Sequence, residues 1–445
     1  MDAIGSNIRV DTYDWEVKRI LPIINEDINE EWISDKTRYA CDGLLHQRLD
    51  TPFIKNNGNF EEISWQDAYK KIKEKISTTS PDKIVGLTGD MTNMETMFAV
   101  KNLFQKTLNS SYLDSRAKHT YINFENRSNY LFNSSIEGIE ESDLILLIGT
   151  NPRFEATILN SRIRKTYLKN KTEIFSLEDM GDLTYPYTVL ENNSKVIDKI
   201  IKNEHNLSNK IASAEKPIII LGQSILNSNN GAYIFEELKK YLTSINKICD
   251  NWNALNILST DASAVGSYDL GIFSSNDGSN KTLKKIEDGD AEVIFLLGQD
   301  NLKIKKSNEF IIYIGSHGDK GADMADLILP GAAYTEQDGY FTNLEGKLQK
   351  AYKASYPPGE AKEDWQIINE LSTNIHGKSL FNNKNELLKS MQNQLNNQNN
   401  KNFEVPTYNM NKKKILVEDI DYYYSNTIAR ASKTMSECRY ARANL

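Results

Sequence analysis

Short runs of apolar residues, separated by amphipathic segments, organise most of the chain from about residue 82 onward. Most of these runs show no alternation of polar and apolar positions, which is typical of strands buried on both faces of a sheet. The runs are Ile84–Leu87, Leu144–Ile148, Glu173–Ser176, Ile218–Leu221, Val293–Leu297, Phe310–Ile314 and Leu327–Leu329. We therefore predict an α/β protein whose core strands are parallel.

Helical periodicity fills several of the intervals between these runs. Apolar stripes at helical spacing are formed by Met97-Val100-Phe104-Leu108 and by Ile234-Leu238-Leu242. A further helix is predicted from Ser64, where Ser-x-x-Asp has the spacing of a capping box, and a last helix is predicted from Glu363. Strands that alternate with helices predict parallel sheets flanked by helices on both faces.

Three regions depart from this alternation. Asn7–Val10 and Glu16–Leu21 alternate partly around Tyr13-Asp14, which predicts a small antiparallel pair. Asn382–Asn402 is rich in Asn, Lys and Gln, and is predicted to be a mobile linker or a weakly formed solvated helix. The tail from Ile415 is predicted to dock on the remainder.

These patterns give a predicted division of the chain into four parts. Residues 1–62 form a small β-containing unit, and 63–377 form an α/β region of two subdomains. Residues 378–411 form a polar linker, and 412–445 form a docking tail. At 445 residues the chain is long enough for two or three domains.

Composition and charge exclude several functional classes. The net charge of −8 argues against a general nucleic-acid binder, which needs a basic surface. No run approaches the ~20 consecutive apolar residues that cross a bilayer. The N-terminus shows neither a basic n-region nor an apolar h-region, so no targeting signal is predicted. The cysteines Cys41, Cys249 and Cys438 are too dispersed for a disulfide framework or a zinc knuckle, which indicates a reducing compartment.

The stretch from Gly149 to Arg153 is the first candidate for chemistry. It follows a predicted strand and opens a helix that carries Arg153, Arg162, Arg164 and Lys165. A helix start of this kind offers free N–H groups to an anion, so a phosphate-binding turn is one interpretation. The other interpretation, which physics alone favours, is a strand–helix connection with a solvated basic face. Neither common nucleotide-binding fingerprint is present.

Two further candidates are weaker. The glycine-rich stretch Gly315–Gly321 has the wrong glycine spacing for a dinucleotide fold, and His317 within it is predicted to be hydrogen-bonded rather than a metal ligand. Glu336 and Asp338 could form an acid pair by type, but they flank a turn in which Asp is favoured for local hydrogen bonds.

The stretch Ala325–Gln349 carries a family resemblance. It combines a short apolar strand, a proline, a glutamate, a turn at Asp338-Gly339 and a polar loop, and it resembles the C-terminal part of the molybdopterin oxidoreductase pattern. More narrowly, the chain resembles the large iron–sulfur (G-type) subunit of respiratory complex I. The matching segments are Asp2–Ile8, Arg19–Pro22, Asn25–Arg38, Arg48–Leu49, Thr51–Pro52, Gly149–Ala156, Leu329–Glu336 and Ile428–Ser432.

The resemblance implies the molybdopterin-oxidoreductase fold without its cofactor chemistry. Cluster-bearing relatives begin Cys-x-x-Cys-x-x-x-Cys-Asn and hold an iron–sulfur cluster through these thiolates and a fourth cysteine. Here Asp2, Ser6 and Ser34 stand at the second, third and fourth positions. The resemblance therefore implies no catalytic residue, no metal and no cofactor in this chain. What it leaves is a vestigial family motif without a cofactor-binding role, at Gly149, Asn151, Pro152, Arg153, Asn343 and Gly346.

The resemblance also implies partners. The family's cysteine-rich N-terminal iron–sulfur domain is missing from the sequence, so either the subunit is divided into two chains, which we favour, or this is a shortened form. We expect the iron–sulfur clusters in a cysteine-rich partner chain, docked at 7–21 and 25–38. Other complex I subunits are further expected partners, without nucleic acid and without a direct membrane span. The heavy use of Asn, Lys and Ile suggests an AT-rich genome and hence a mitochondrially encoded protein. We therefore expect it on the matrix side of the mitochondrial inner membrane, with the bacterial cytoplasmic face as the alternative.

The predicted function is a non-catalytic structural part of the NADH:quinone oxidoreductase peripheral arm. One alternative is an active molybdenum or tungsten bis-pterin oxidoreductase subunit, such as formate dehydrogenase. Another is an interaction domain outside any redox complex. Metal and pterin analysis separates the first alternative from the prediction, and co-purification with an NADH-oxidising assembly separates the second.

Overall fold

A computed structural model describes residues 1–191, 193–397, 402–410 and 416–443 of the chain. The strands are β1 (Ile8–Tyr13), β2 (Glu16–Pro22), β3 (Phe53–Asn56), β4 (Asn59–Glu62), β5 (Ile84–Thr88), β6 (Leu113–Asp114), β7 (Leu144–Ile148), β8 (Glu173–Ser176), β9 (Thr188–Val189), β10 (Pro217–Gly222), β11 (Ile248–Cys249), β12 (Trp252–Asn253), β13 (Leu255–Leu258), β14 (Val293–Leu297), β15 (Phe310–Gly315), β16 (Leu327–Pro330), β17 (Gly339–Thr342) and β18 (Leu348–Ala351).

Helices lie between most of these strands. The α-helices are α1 (Asp35–Tyr39), α2 (Trp65–Ser77), α3 (Met94–Asn102), α4 (Pro152–Glu155), α5 (Thr157–Asn170), α6 (Ser194–Ile201), α7 (Asn206–Ser213), α8 (Gln223–Leu226), α9 (Gly231–Ser244), α10 (Ala264–Asp269), α11 (Lys281–Glu287), α12 (Lys320–Met324), α13 (Asp364–His376), α14 (Lys384–Asn396), α15 (Thr427–Ala431) and α16 (Lys433–Ala443). Short 3-10 turns lie at Ala40–Leu45, Pro81–Lys83, Arg127–Asn129, Glu137–Glu141 and Tyr422–Tyr424, and α3 continues as a π-helical turn at Leu103–Leu108.

Two parallel sheets form the centre of the molecule, as the apolar runs predict. One has the order β4-β3-β16-β15-β14-β5-β6 and is parallel except at β3 and β4, which form an antiparallel hairpin at one edge. The other has the order β13-β10-β7-β8-β9 and is parallel throughout. Every residue of β5, β7, β10, β13 and β14 is buried, because helices cover both faces of the sheets. The predicted α/β fold class is confirmed.

The N-terminal unit is antiparallel, as predicted. β1 and β2 pair with Ile8 opposite Pro22, and the register shifts between Asp11 and Thr12, which is a β-bulge. Val17 and Ile20 of β2 are buried in a small cluster that includes Ile428 of α15. The C-terminal helices therefore pack against the N-terminal unit.

The predicted helix start at Ser64 is also confirmed. The Ser64 hydroxyl accepts a hydrogen bond from the Asp67 amide at 3.1 Å and donates one to the Asp67 carboxylate at 2.7 Å. This satisfies an amide at the first turn of α2 that has no partner within the helix.

The region after residue 377 differs from the sequence interpretation. α13 is not the last helix, because α14 follows it and buries Leu387 and Met391 completely against the core of the seven-stranded sheet. A packed helix over Lys384–Asn396 thus replaces the expected mobile linker or weakly formed helix. Residues 398–401 and 411–415, including Ile415, lie outside the described part of the chain. The four-part domain division remains a prediction.

Candidate functional site

The carboxyl ends of strands from both sheets meet at one cleft. Its lining includes Asp90 after β5, Asn301 after β14, Glu155 after β7, Gln223 after β10 and Asp261 after β13. Open α/β sheets place their ligands at this end of the strands, so the cleft is the natural candidate site. A cavity of about 340 Å³ remains within it.

The Gly149–Arg153 turn leads directly into Phe154 and Glu155, which line this cleft. Gly149 adopts a φ of +63°, and a Cβ atom at that position would lie 2.7 Å from the Cβ atom of Ile225. Asn151 then caps α4, accepting a hydrogen bond from the Arg153 amide at 3.2 Å, and Pro152 occupies the first helical position. Gly149, Asn151 and Pro152 therefore set the backbone geometry of the turn.

The hydrogen-bond acceptor at this turn is supplied by the chain itself. The Glu155 carboxylate accepts hydrogen bonds from the Asn151 amide at 2.9 Å and the Thr150 hydroxyl at 2.7 Å. Glu155 is 3% exposed, and its burial raises the pKa of the carboxyl from 4.5 to about 7 despite these two hydrogen bonds. An internal carboxyl thus occupies donors that a phosphate group would need.

The basic residues that follow the turn are also engaged. Arg153 pairs with Asp182 at 2.8 Å. Arg162, which is 2% exposed, pairs with Glu140 at 2.6 Å, and Lys165 pairs with the same carboxylate at 2.8 Å. The basic face predicted to be solvated is therefore only partly so, because its cations bind carboxylates of neighbouring elements. Arg162 is a buried structural residue.

The C-terminal segment runs across the cleft. The Val417 amide donates to Glu178 at 3.1 Å and the Glu418 amide donates to the Ser224 hydroxyl at 3.0 Å, beyond the ends of β8 and β10. Tyr422 is 7% exposed and its ring lies 6.3 Å from that of Phe154 in α4. The described part of the predicted docking tail thus docks at the candidate site itself.

The same segment reaches the other sheet. Arg430 in α15 pairs with Asp319 at 2.5 Å, in the loop after β15. Lys118 pairs with Glu418 on the opposite side of the cleft. Because both ends of the segment are tied to the protein, it links the two sheets and covers the strand ends.

Three carboxyl groups lie in or beside the cleft: Asp90 and Asp261 line it and are partly buried, and Asp300 is buried behind the lining. Asp90 accepts a hydrogen bond from the Asn301 amide group, and burial with the nearby charges of Asp261 and Asp300 raises the pKa of Asp90 well above its usual range. Burial also raises the pKa of Asp300, to about 6. These groups favour the protonated form, as expected for acids gathered in a desolvated space. Throughout the described ranges, no three His, Cys, Asp or Glu residues are arranged to hold a metal ion.

The two weaker candidates have structural roles. His317 is fully buried, with its Nε2 3.0 Å from the Gly43 carbonyl oxygen and its Nδ1 2.8 Å from the Ser316 hydroxyl. Its burial lowers the pKa of the imidazole to about 4, which keeps it neutral. Glu336 receives two hydrogen bonds from Arg48, at 2.5 and 2.6 Å, whereas Asp338 accepts from the Lys353 amide at 2.9 Å. Glu336 and Asp338 thus bind different partners.

Asn343 and Gly346 lie at a separate place, in the turn between β17 and β18. Asn343 accepts a hydrogen bond from the Lys347 amide at 2.8 Å and donates to the Ile4 carbonyl at 3.4 Å. Gly346 has a φ of +88°, which the turn requires. Asn343 fastens the hairpin to the N-terminal segment and Gly346 forms its turn, whereas Gly149–Arg153 follows a strand of the five-stranded sheet.

The residues at the would-be cluster positions do not fit an iron–sulfur cluster, which needs thiolates. The Asp2 carboxylate accepts from the Ile4 amide at 3.2 Å and lies 3.9 Å from the Lys36 ammonium. The Ser34 hydroxyl caps α1 and lies 2.9 Å from that of Thr37. Asp2 and Ser34 are therefore occupied within the protein, and neither they nor Ser6 supplies a sulfur ligand.

Sequence reasoning missed Glu155 and the destination of the tail. Asn151-Pro152-x-x-Glu155 does carry a local signal, because a carboxylate four residues after an N-cap lies near the first amides of the helix. No comparable signal marks Glu418 or Tyr422, whose partners are distant in sequence.

Two protein-family models match the chain. The family model "Molybdopterin oxidoreductase" matches residues 48–374, and "NADH-ubiquinone oxidoreductase NDSU1/NuoG-like, 4Fe-4S domain" matches residues 1–42. The second match contains a single cysteine, Cys41, so it identifies the unit without providing a cluster ligand set.

Curated relatives cover nearly the whole chain. The NADH-ubiquinone oxidoreductase 75 kDa subunit of Reclinomonas americana is 39% identical over 472 residues, which cover 98% of this chain and 67% of that protein. The G-type subunit of the NADH-quinone oxidoreductase of Rickettsia bellii is 38% identical, covering 100% and 65%. The mitochondrial NADH-ubiquinone oxidoreductase 78 kDa subunit of Candida albicans is 41% identical, covering 85% and 52%. The chain thus spans about two thirds of the first two relatives and about half of the third.

Solved structures of low sequence identity share the fold alone. Acetylene hydratase from Pelobacter acetylenicus superimposes with a TM-score of 0.52 at 13% identity, over 84% of this chain and 68% of that chain. Among the helices of the described ranges, none has the length and apolar character needed to span a membrane. By sequence match and by fold, the chain belongs to the molybdopterin oxidoreductase family and, within it, to the family of G-type, 75 kDa and 78 kDa subunits of NADH-quinone oxidoreductase.

Proposed function

We propose that the chain is a non-catalytic structural subunit of the peripheral arm of NADH:quinone oxidoreductase, where it supports electron transfer from NADH to quinone. Membership of the G-type subunit family supports the proposal that the chain is part of this assembly. The cleft supports the non-catalytic role, since the chain's own groups bond the Thr150 hydroxyl, the Asn151 amide and the Ser224 hydroxyl at the strand ends.

The observation that carries the proposal is the C-terminal segment across the cleft. It contacts Ser224 and Glu178 beyond the five-stranded sheet and Asp319 beyond the seven-stranded sheet. A bis-pterin cofactor in that cleft would have to displace it. No observation favours the alternative of an active molybdenum or tungsten enzyme such as a formate dehydrogenase.

We further propose that this chain binds no iron–sulfur cluster and that the clusters lie in a cysteine-rich partner chain. The absence of thiolates at Asp2, Ser6 and Ser34 supports the first statement. That absence, together with the 4Fe-4S name of the family model matched at 1–42, supports the second. We propose that the chain lies on the matrix side of the mitochondrial inner membrane or, in a bacterium, on the cytoplasmic face of its membrane, since relatives come from both sources.

The test is to purify the affinity-tagged chain from membranes of its source in mild detergent. We expect a cysteine-rich, iron-containing chain to co-purify in constant ratio with an NADH-oxidising activity. Hydrogen exchange at 7–21 and 25–38 should be slower in that assembly than in the separated chain, because an interface excludes water from these segments.

Two outcomes would contradict the proposal. If the chain purifies alone as a monomer that is well ordered from Asn7 onward, and its exchange pattern is the same with and without the iron-containing chain, the proposed cysteine-rich partner is wrong. A chain that co-purifies with other proteins but never with NADH oxidation would indicate an interaction domain outside the respiratory assembly.

A further inference from the structure

A second, larger cavity adjoins the cleft, with which it shares Met1, Met91 and Ala262, and lies beside the N-terminal segment. It is a groove of about 960 Å³ between residues 1–10 and the β17–β18 hairpin with the residues that follow it. We call it the N-terminal groove. Its two walls are held together, since the Gln349 side chain donates to the Gly5 carbonyl at 2.9 Å and to the Asn7 side chain at 3.1 Å.

Large apolar side chains are exposed along and beside this groove. Tyr352 is 71% exposed, Leu348 45% and Ile23 47%, and all three line it. Trp15 at the tip of the β1–β2 hairpin is 68% exposed and stacks edge-on against Tyr356, with 5.0 Å between the ring centroids. Contiguous exposed apolar surface of this kind marks an interaction site.

The groove has the opposite charge to the whole chain. Its charged lining consists of four cations and two carboxylates, in a protein of net charge −8, and these residues are Arg9, Lys347, Lys350, Lys353, Asp2 and Asp27. One of the carboxylates, Asp2, is buried and faces Lys36 rather than these cations.

The lysines of the hairpin wall are arranged to receive negative charge. Lys350 lies over the rings of Tyr340 and Tyr352, 4.6 Å from the centroid of the latter. Lys353 lies 4.5 Å from the centroid of Tyr356, and its nearest carboxylate, of Glu363, is 3.7 Å away. Among the described residues Lys350 has no carboxylate within ion-pair distance, whereas Lys353, Arg9 and Lys347 each have at least one.

Two hydroxyl groups among the lining residues lack hydrogen bonds. Thr335 is 2% exposed, and neither its Oγ1 nor the buried Tyr334 hydroxyl has a hydrogen-bond partner within the described residues. Both atoms are shielded by the protein, so an occupant of the groove could reach them only after a local rearrangement of the groove wall.

We propose that the N-terminal groove is the docking site for an acidic, extended segment of the cysteine-rich partner chain. This inference rests on the proposed function and adds which surface binds and what chemistry it recognises. Apolar side chains of the segment would pack on Tyr352 and Leu348, while its carboxylates pair with Lys350 and Lys353. Association should therefore depend on salt, because rim charges act mainly through steering and pairing.

The test compares matched charge variants in binding to the purified iron-containing partner at low and high salt. We expect K350E/K353E to weaken binding by at least about tenfold, since carboxylates would then face carboxylates, and K350Q/K353Q to weaken it less. The control is K70E/K73E, the same charge change on exposed positions of α2, which should bind like the wild type. Poly-L-glutamate should compete with the partner for the wild type and not for K350E/K353E.

The outcomes separate the inference from the function on which it rests. If the wild type binds the partner and K350E/K353E binds equally well, the groove assignment is wrong and the proposed function stands. If the wild type does not bind the iron-containing chain at all, both are wrong. Loss of binding to phosphatidylglycerol vesicles by K350E/K353E, with partner binding intact, would show that this surface meets lipid and overturn the inference. Circular dichroism of each variant verifies the fold.

Discussion

The cleft at the strand ends and the N-terminal groove differ in how their charges are satisfied. In the cleft, Glu155 binds the turn that a phosphate would bind, Arg116 pairs with Asp114 at 2.7 Å, and the C-terminal segment covers the opening. In the groove, Lys350 and Lys353 rest on aromatic rings and Tyr352 faces solvent. The cleft is crossed by the protein's own C-terminal segment, whereas the groove exposes aromatic side chains and the ammonium group of Lys350.

This difference determines which of the two regions can gain contacts when a ligand or partner binds. A site whose donors and acceptors are matched internally has little to offer a ligand, because binding would first have to break those contacts. A surface with unmatched cations and exposed aromatics gains contacts when a partner arrives. Under the proposed function, the position that other α/β enzymes use for chemistry is structural in this chain, and the groove is the surface that meets a partner.

The largest predicted effect concerns a charge pair in the cleft wall. Arg116 and Asp114 are 3% and 0% exposed, and Arg116 also donates to the Thr120 and Gly278 carbonyls at 2.8 and 2.7 Å. Arg116→Ala leaves a buried carboxylate unpaired, so the free energy of unfolding should fall by about 4 kcal/mol. Urea unfolding followed by tryptophan fluorescence measures it. Lys350→Ala in the groove is the control and should change it by less than about 0.5 kcal/mol. Equal effects at both positions would remove the contrast between the regions.

The second prediction concerns the segment that closes the cleft. Tyr422 is buried against Phe154, and Tyr422→Ala should lower the free energy of unfolding by about 3 kcal/mol, as for other large-to-small changes at buried aromatic positions. Tyr422→Phe is the matched control and should have a smaller effect, because it keeps the buried ring and removes only the hydroxyl, which bonds the Lys36 amide at 3.5 Å and the Thr157 side chain. Faster exchange of the amides after β7 and β10 should accompany Tyr422→Ala. An alanine variant as stable as the wild type would show that the segment does not hold the cleft closed.

The third prediction is a pH dependence that Glu155 imposes. Its pKa is raised from 4.5 to about 7, so the folded state retains a proton that the unfolded state releases. Stability should therefore decrease as the pH rises from 4.5 to 7, by at most about 3 kcal/mol from this group. Glu155→Gln removes the titration, and its stability relative to the wild type should rise across this window. Asp364, whose pKa burial also raises to about 7, titrates in both proteins and cancels in the comparison. A constant difference between pH 4.5 and 8 would contradict the assignment.

The smallest effect is expected at the surface of the turn. Arg153 and Asp182 are 39% and 74% exposed, so Arg153→Ala should change the free energy of unfolding by less than about 1 kcal/mol. Arg153→Ala should reduce assembly slightly, but NADH oxidation per assembled complex should be unchanged. A large loss of turnover in fully assembled complex would show that the turn takes part in chemistry.

The core of the fold could be predicted because unbroken apolar runs identify strands buried on both faces. β13 escapes prediction because Asn256 interrupts its run, and only the structure shows this side chain bonded to Ser134 and the Ala254 carbonyl. α14 escapes prediction because Asn, Lys and Gln dominate its composition, while Leu387 and Met391 alone are fully buried in it.

The site could be predicted only in part. Local sequence identifies the Gly149–Arg153 turn, since a glycine, an N-cap and a proline act within a few residues. The groove and the closed cleft depend on contacts between distant segments, such as Gln349 with Gly5 or Glu418 with Ser224. Hydrophobic periodicity carries no information about such pairings.

The central claim is that this chain is a scaffold without a metal centre of its own, and elemental analysis tests it most directly. The chain is separated from its partner under anaerobic conditions, and iron, molybdenum, tungsten and pterin are measured per polypeptide, with the iron-containing partner as the positive control. The account predicts iron in the partner and near-zero amounts of all four in this chain. A near-stoichiometric amount of any one of them in this chain would contradict it.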